Sequence, residues 1–227
     1  MEEDVRTRLR QYSGDGMSFG GYYIRKGVFF IMSLSTKTHK IAVTAILSAV
    51  ATVLMFISFP IPFLIPPFVK MDFSELPALL AAFSMGPVSG VMVCLVKNLI
   101  NLLFTTTSGV GELCNFLLGV CFVIPAGWIY KVRRTRSGAL LASGAGAGAV
   151  AMAVLSVPVN YFISYPFYTT FMPLDTIIGM YQDLLPSVDG LLACLLIFNM
   201  PFTLLKGILD VALAFLIYKP LSPLLHK

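Results

Sequence analysis

The sequence predicts an all-α integral membrane protein, a bundle of six transmembrane helices with both termini in the cytoplasm. Three observations predict it. Of the 227 residues 57% are hydrophobic and only 12% charged, and the mean hydropathy is +0.86, outside the usual composition of soluble domains. A bilayer-crossing helix needs about 20 apolar residues, which leaves room for about six crossings and no separate soluble domain. The basic residues are also unevenly placed. Arg6, Arg8, Arg10, Arg25, Lys26, Lys37 and Lys40 precede the first long apolar run, Lys131, Arg133, Arg134 and Arg136 follow the fourth, and Lys219 and Lys227 follow the last. An excess of Lys and Arg marks the cytoplasmic side, so both ends are expected there.

The elements follow in order. Residues 1–36 mix acidic, basic and Gly-rich stretches with an apolar patch at 28–32 too short to cross and without a small-residue cleavage site. They are expected to form a mobile cytoplasmic extension, followed by one membrane domain at 37–227. Residues 41–59 form helix 1, about 28 Å long and sufficient to span. The next stretch carries Pro60, Pro62, Pro66 and Pro67, which forbid a continuous helix, yet it is too apolar for a solvated loop and suits a cover over something. Asp72 with Glu75 is an acidic variant of a capping box and starts a short helix 2 at 73–85, stopped by Gly86-Pro87. Helix 3 covers 87–104, a Thr-rich loop leads to helix 4 at 111–130, and helices 5 and 6 cover 139–167 and 191–218. A long connection holding Asp175, Asp183 and Asp189 joins the last two.

Several function classes drop out. The net charge of +5 comes from chain ends and one short loop, with no stripe to follow a phosphate backbone, so nucleic acid is rejected as a partner. Cys94, Cys114, Cys121 and Cys194 lie in apolar runs without metal-binding spacing and read as small packing residues. There is no P-loop, HExxH or GxSxG sequence, so an enzyme is not expected, and no cofactor or metal is implied.

Polar residues inside apolar helices are the informative ones, since a Lys or Asp at mid-helix costs roughly 2.5–3.5 kcal/mol on insertion scales. In helix 6, Asn199, Thr203, Lys206 and Asp210 recur at i, i+4, i+7 and i+11, one narrow stripe. It reads either as an internal ladder, with Lys206 paired to Asp210, or as the polar wall of an inward pocket. Lys97 is either a structural partner of Glu112 or another carboxylate, or a ligand contact. Glu112 and Asn115 open helix 4. Asn160 and Ser164 stand in helix 5 beside Tyr161, Tyr165 and Tyr168. These rings fit an interfacial belt, but beside a carboxamide they also suit a planar heteroaromatic ligand. In helix 1, Ala45 and Ala49 make an AxxxA on a small-residue face, suited to close packing inside the bundle or to docking on another membrane protein. Gly144 and Gly148 repeat the spacing in helix 5, where internal packing is expected.

The series Lys70-Met71-Asp72-Phe73-Ser74-Glu75-Leu76-Pro77, then Gly86-Pro87, Lys97-Asn98, Gly109-Val110-Gly111-Glu112 and Asn115-Phe116, resembles the riboflavin-specific substrate-binding (S) components of energy-coupling-factor (ECF) vitamin transporters, the RibU/FmnP family. The resemblance covers roughly residues 37–219. It implies a six-helix S-component fold in the bacterial cell membrane and a riboflavin pocket open to the outside and lidded by the loop after helix 1. It also implies an AxxxA face, here Ala45 and Ala49, that docks a membrane-embedded coupling (T) subunit served by two cytoplasmic ATPases. Carried over, the lid falls on 63–68, with Phe63, Leu64 and Phe68, and the flavin edge is read by Asn160 and Lys206. The family pattern places an asparagine three residues before that lysine. Here Thr203 stands there, with Asn199 one turn earlier. An uncharged flavin also fits the residues themselves: aromatic and Pro/Leu walls, Asn160 and Lys206 for the ring edge, Glu112, Asn115 and threonines for hydroxyls, and no outward Arg cluster for a phosphate. The competing expectations are an S component for thiamine or a pyridoxine-like vitamin, and a secondary transporter driven by an ion gradient through Lys97, Asp210 or Glu112.

Overall fold

The computed structural model describes residues 37–132 and 138–225, with side chains for 37–130 and 143–218. The expected extension at 1–36, and Arg133, Arg134, Arg136 and Lys227 of the basic clusters, lie outside the described residues. The chain divides into two units, Met1–Ala42 and Val43–Lys227. Of the first, only the opening of α1 is described.

The helices are α1 (Lys37–Phe56), then α2 (Glu75–Met85), α3 (Pro87–Leu102), α4 (Val110–Val132), α5 (Gly138–Val159), α6 (Tyr165–Tyr168), α7 (Leu174–Gln182), α8 (Leu191–Cys194) and α9 (Met200–Leu225). Among the described residues, four stretches are long and apolar enough to cross a membrane: Lys37–Phe56, Val110–Tyr130, Ser143–Tyr168 and Leu191–Tyr218, while α2 and α3 are shorter apolar helices. Two of these stretches are interrupted. A π-helical turn at Asn160–Ser164 joins α5 to α6, and a second at Leu195–Asn199 joins α8 to α9.

Local chemistry accounts for the departures from expectation. Helix 1 stops at Phe56 because Phe59–Pro60 (β1) pairs antiparallel with Lys70–Met71 (β2), Phe59 opposite Met71 and Pro60 opposite Lys70. The residue before a proline is disfavoured in the α region, so the chain leaves the helix ahead of Pro60. The capping box at the start of α2 does not form. Ser74 is the N-cap residue without a side-chain cap bond, Asp72 accepts from the Ser74 N–H at 2.9 Å, and Glu75 turns to Lys97 instead. At the tight junction of α2 and α3, Gly86 has φ +104°, a conformation glycine adopts without a Cβ penalty. Pro87, at the first position of α3, needs no helical N–H partner.

The π turns share a cause. Each begins six residues before a proline, Asn160 before Pro166 and Leu195 before Pro201. A proline ring clashes with the carbonyl four residues earlier and has no N–H to offer it. Widening the turn displaces that carbonyl, and the ladder resumes with Tyr165 N–H donating to Asn160 O and Met200 N–H to Leu195 O.

Two apolar clusters form the core of the Val43–Lys227 unit. One is built from α1, α2, α3, α4, α5 and α9 around Leu79, Phe83, Val93, Phe122 and Met152. Close approach of α4 and α5 depends on the predicted small residues: a Cβ on Gly148 would lie 2.3 Å from Phe122 O, and one on Gly144 2.8 Å from Ala126 O. The second cluster gathers Ile65 and Met71 with Tyr165, Ile177, Tyr181, Leu195 and Phe202. It explains the apolar proline loop, whose Ile65 is fully buried.

Candidate functional site

The two π turns, the start of α4 and the β2–α2 connection enclose a cavity of about 190 Å³. Asn160, Ser164, Tyr165 and Tyr168 reach it from one interrupted helix, and Asn199, Phe202, Thr203 and Lys206 from the other. Cys114, Asn115 and Leu118 come from α4, Met152 from α5, and Phe68, Lys70, Asp72 and Glu75 from the loop and α2. Its walls combine aromatic and apolar side chains with a comparable number of polar and charged ones, a more polar lining than small-molecule sites usually have.

The stripe in α9 is a cavity wall rather than an internal ladder. Lys206 donates to Asp72 Oδ2 at 2.9 Å. Asp210 pairs with nothing among the described residues: it is fully buried and neither carboxyl oxygen has a hydrogen-bond partner there. Asp72 lies in the β2–α2 connection, outside the spanning helices. Burial pushes its carboxyl up, but the charges of Lys206 and Lys97 and hydrogen bonds from Lys206 and Ser74 outweigh burial and hold it at about 2.

Lys97 does not line the cavity. Its Nζ donates to Glu75 Oε1 and Ser74 Oγ, both at 2.6 Å, with both charged side chains out of solvent. The carboxylate partner is thus Glu75, which itself lines the cavity, and not Glu112. Room for this pair comes from Gly119, where a Cβ would sit 2.7 Å from Glu75 Oε2. Glu112 instead accepts from Thr105 Oγ1 at 2.9 Å and Thr107 Oγ1 at 3.1 Å, closing the Thr-rich loop onto the start of α4.

Hydrogen-bonding capacity is left over inside the cavity. The buried Asn115 Oδ1 has no partner among the described residues, and the half-buried Asn160 faces the same cavity. Asn199 is committed: its Oδ1 accepts from Tyr181 at 2.7 Å and its Nδ2 donates to Tyr165 Oη at 3.2 Å. Phe68 packs edge-on against Tyr165, Tyr168 and Tyr181 and closes one side.

The other expected site residues lie elsewhere. Tyr161 is 38% exposed and packs on Phe162. Phe63 and Leu64 line a second cavity of about 310 Å³, with Leu184, Ile197, Phe198, Pro201, Phe202 and Leu205. Ala45 and Ala49 are exposed on α1, together with Ile46, Val50 and Val53, whereas Ser48 and Thr52 point inward. Asp72, Glu75 and Tyr181 were not among the candidates. The acidic pair looked like a helix cap, and the only sequence signal for Tyr181 was an apolar i, i+4 pairing with Ile177 in an otherwise acidic loop.

The chain matches the family model for the substrate-specific component of ECF transporters over residues 39–218. The chain belongs to this family. Among its curated relatives is a riboflavin transporter RibU of Staphylococcus aureus, 39% identical over 195 residues, covering 86% of this chain and 96% of the relative. The riboflavin transporter RibU of Streptococcus thermophilus is 33% identical over 95% of this chain and 98% of its own length. The riboflavin transporter FmnP of Bacillus subtilis is 30% identical over 84% and 96%. A solved S component of a bacterial ECF transporter superposes with a TM-score of 0.65 at 36% identity, covering 84% of this chain and 99% of that one. This S component is accordingly a multi-pass cell-membrane transport subunit and not an enzyme.

Proposed function

We propose that this S component binds riboflavin from outside the cell and delivers it inward together with a membrane-embedded T subunit and two ATPases. The observation that carries the reading is that Asn160 and Lys206, from separate helices, open on one chamber with aromatic walls. The family membership and the riboflavin transporters among its relatives support the same ligand. An isoalloxazine offers flat apolar rings and a uracil-like edge of alternating acceptors and a donor. Phe68, Tyr165, Tyr168 and Phe202 supply the faces, Asn160 reads the edge, and Lys206, with Thr203 and Asn199 beside it, serves a carbonyl oxygen. Asn115 takes a ribityl hydroxyl, while Glu112, outside the chamber lining, holds the Thr-rich loop beside it. Lys97 acts through Glu75, Tyr161 stands at the membrane-facing rim, and Phe63 and Leu64 belong to the loop that admits the ligand.

The chamber, about 190 Å³, is smaller than the roughly 300–1,000 Å³ usual for ligand sites, which fits a lid, residues 63–68, that must move for entry. In this reading α2 and α3 complete a six-helix bundle with both termini cytoplasmic, following the Lys and Arg distribution. The exposed Ala45 and Ala49 form the close-packing face for the T subunit.

The deciding experiment is purification from cells grown with riboflavin, followed by titration with riboflavin, FMN, thiamine and pyridoxine. A yellow preparation with stoichiometric quenching of riboflavin fluorescence is expected. Preference for another vitamin, or gradient-driven uptake by the isolated protein in liposomes, would replace this reading.

A further inference from the structure

Tyr181 lies outside the chamber, fully buried on α7, in the long connection between the interrupted helices. Its hydroxyl donates to Asn199 Oδ1 at 2.7 Å and touches the hydroxyl of Tyr165. Asn199 Nδ2 in turn donates to Tyr165 Oη at 3.2 Å. A tyrosine hydroxyl carries one proton and two acceptor positions. Because the Tyr181 proton goes to Asn199, the contact between the two hydroxyls must use the proton of Tyr165. The three groups therefore close a ring in which each donates once and accepts once: Tyr181 to Asn199, Asn199 to Tyr165, Tyr165 to Tyr181. All three are buried, where an unmade hydrogen bond is costly and a satisfied network holds one arrangement.

Asn199 and Tyr165 both line the chamber, so the ring determines what they present to a ligand. Tyr165 has no proton left to give and can only accept. Asn199 keeps one amide hydrogen and one carbonyl lone pair, with the amide plane held by its two ring partners. We propose that Tyr181 is a positioning residue for ligand recognition: it never touches the ligand, but through this ring it fixes the hydrogen-bonding direction of Asn199 and Tyr165 at the chamber wall. The ligand class is a flat, neutral heteroaromatic with both acceptors and a donor along one edge, and the inference rests on the riboflavin reading. Tyr181→Phe removes one oxygen, orphans the Asn199 acceptor and releases the Tyr165 proton to turn elsewhere.

The test is a double-mutant cycle in purified protein. Wild type, Tyr181→Phe, Asn199→Ala and the double variant are titrated with riboflavin by fluorescence quenching, and the absorption spectrum of the bound flavin is recorded. Tyr181→Phe is expected to bind roughly tenfold more weakly, the scale of one buried hydrogen bond, at unchanged stoichiometry and with a shifted flavin spectrum. In the Asn199→Ala background it should add no further loss. Unchanged affinity and spectrum in Tyr181→Phe, or losses that simply add, would overturn the proposal. If Tyr181→Phe yields no folded protein, Asn199→Asp, which accepts from Tyr181 but cannot donate to Tyr165, replaces it. Affinity within twofold of wild type in that variant likewise overturns the proposal. Wild-type protein that quenches no riboflavin refutes the functional reading itself, a result separate from any difference among variants.

Discussion

Lys206 donates to Asp72 across 134 positions of sequence, fastening the far end of the proline-rich loop to the helix that carries the chamber's polar stripe. Asp72 directly follows β2, so the ion pair holds the base of the proposed lid. The lysine proposed to meet the ligand is thus also the lysine that holds the loop. Asp72→Asn keeps an acceptor but removes the charge. A hydrogen bond to a charged group is worth about 1.5–3 kcal/mol, so riboflavin dissociation should accelerate by roughly ten- to a hundredfold. Stopped-flow displacement measures this, and an unchanged off-rate would separate lid movement from this pair.

The pH dependence of that fastening follows from Asp72. Its carboxyl is held down at about 2 in the folded protein, against about 3.9 in an unfolded chain. A depressed carboxylate contributes stability that is complete above the unfolded value and is lost as pH falls through the folded one. Between pH 7 and 5 this pair should therefore contribute nothing to any change in the unfolding temperature. Its share should fade between about 4 and 2, and Asp72→Asn should abolish that part of the acid transition.

Lys97 and Glu75 make a different prediction, because their pair is shut off from solvent. Removing one partner of a buried ion pair costs about 3–5 kcal/mol, while replacing both by apolar groups of similar volume is often close to neutral. Lys97→Met should lower the unfolding temperature sharply, and adding Glu75→Leu should recover much of it. The surviving folded Lys97→Met protein should retain riboflavin affinity more nearly than Lys206→Met. A loss concentrated in affinity would make Lys97 a ligand contact after all.

Gly119 tests the same pair sterically. An added methyl would meet Glu75 Oε2 at 2.7 Å and Cys94 Sγ at 3.0 Å, and overpacking of this kind typically costs 1–3 kcal/mol. Gly119→Ala should destabilise by that amount in a thermal unfolding assay. Gly146→Ala should not, since nothing lies within 4 Å of its added Cβ.

For the proposed docking face, Ala45→Leu with Ala49→Leu should preserve riboflavin binding by the isolated subunit yet abolish ATP-dependent uptake with the T subunit and ATPases in liposomes. Both alanines are exposed on α1, so the larger side chains meet no wall of this bundle. Intact uptake would move the docking face elsewhere.

The long apolar helices were legible because composition and hydropathy dictate them, and Asn199, Thr203 and Lys206 were found together because a stripe is a local property of one helix. Partners were not legible. From sequence, Lys97 had Glu112 fifteen positions ahead as an equally good candidate. Only the packing of α2 on α3 brings Glu75 to it, while Glu112 is taken by Thr105 and Thr107. Lys206 appeared to have Asp210 one turn away, but its actual partner comes from a loop no periodicity describes. The π turns escaped because a helical period assumes an unbroken helix, although the prolines at 166 and 201 stood in plain view.

Each of those two wide turns divides one long stretch into two pieces, α5 from α6 and α8 from α9. A single residue carries about 100° of helical rotation, so deleting one from the Asn160–Ser164 turn would re-aim α6, with Tyr165 and Tyr168, by that much while leaving Gly144 and Gly148 seated against α4. The tyrosine wall of the chamber is thereby separable from the helix contacts that assemble the bundle, whereas Met152, Thr203 and Lys206 stand on α5 and α9 themselves and move only with them.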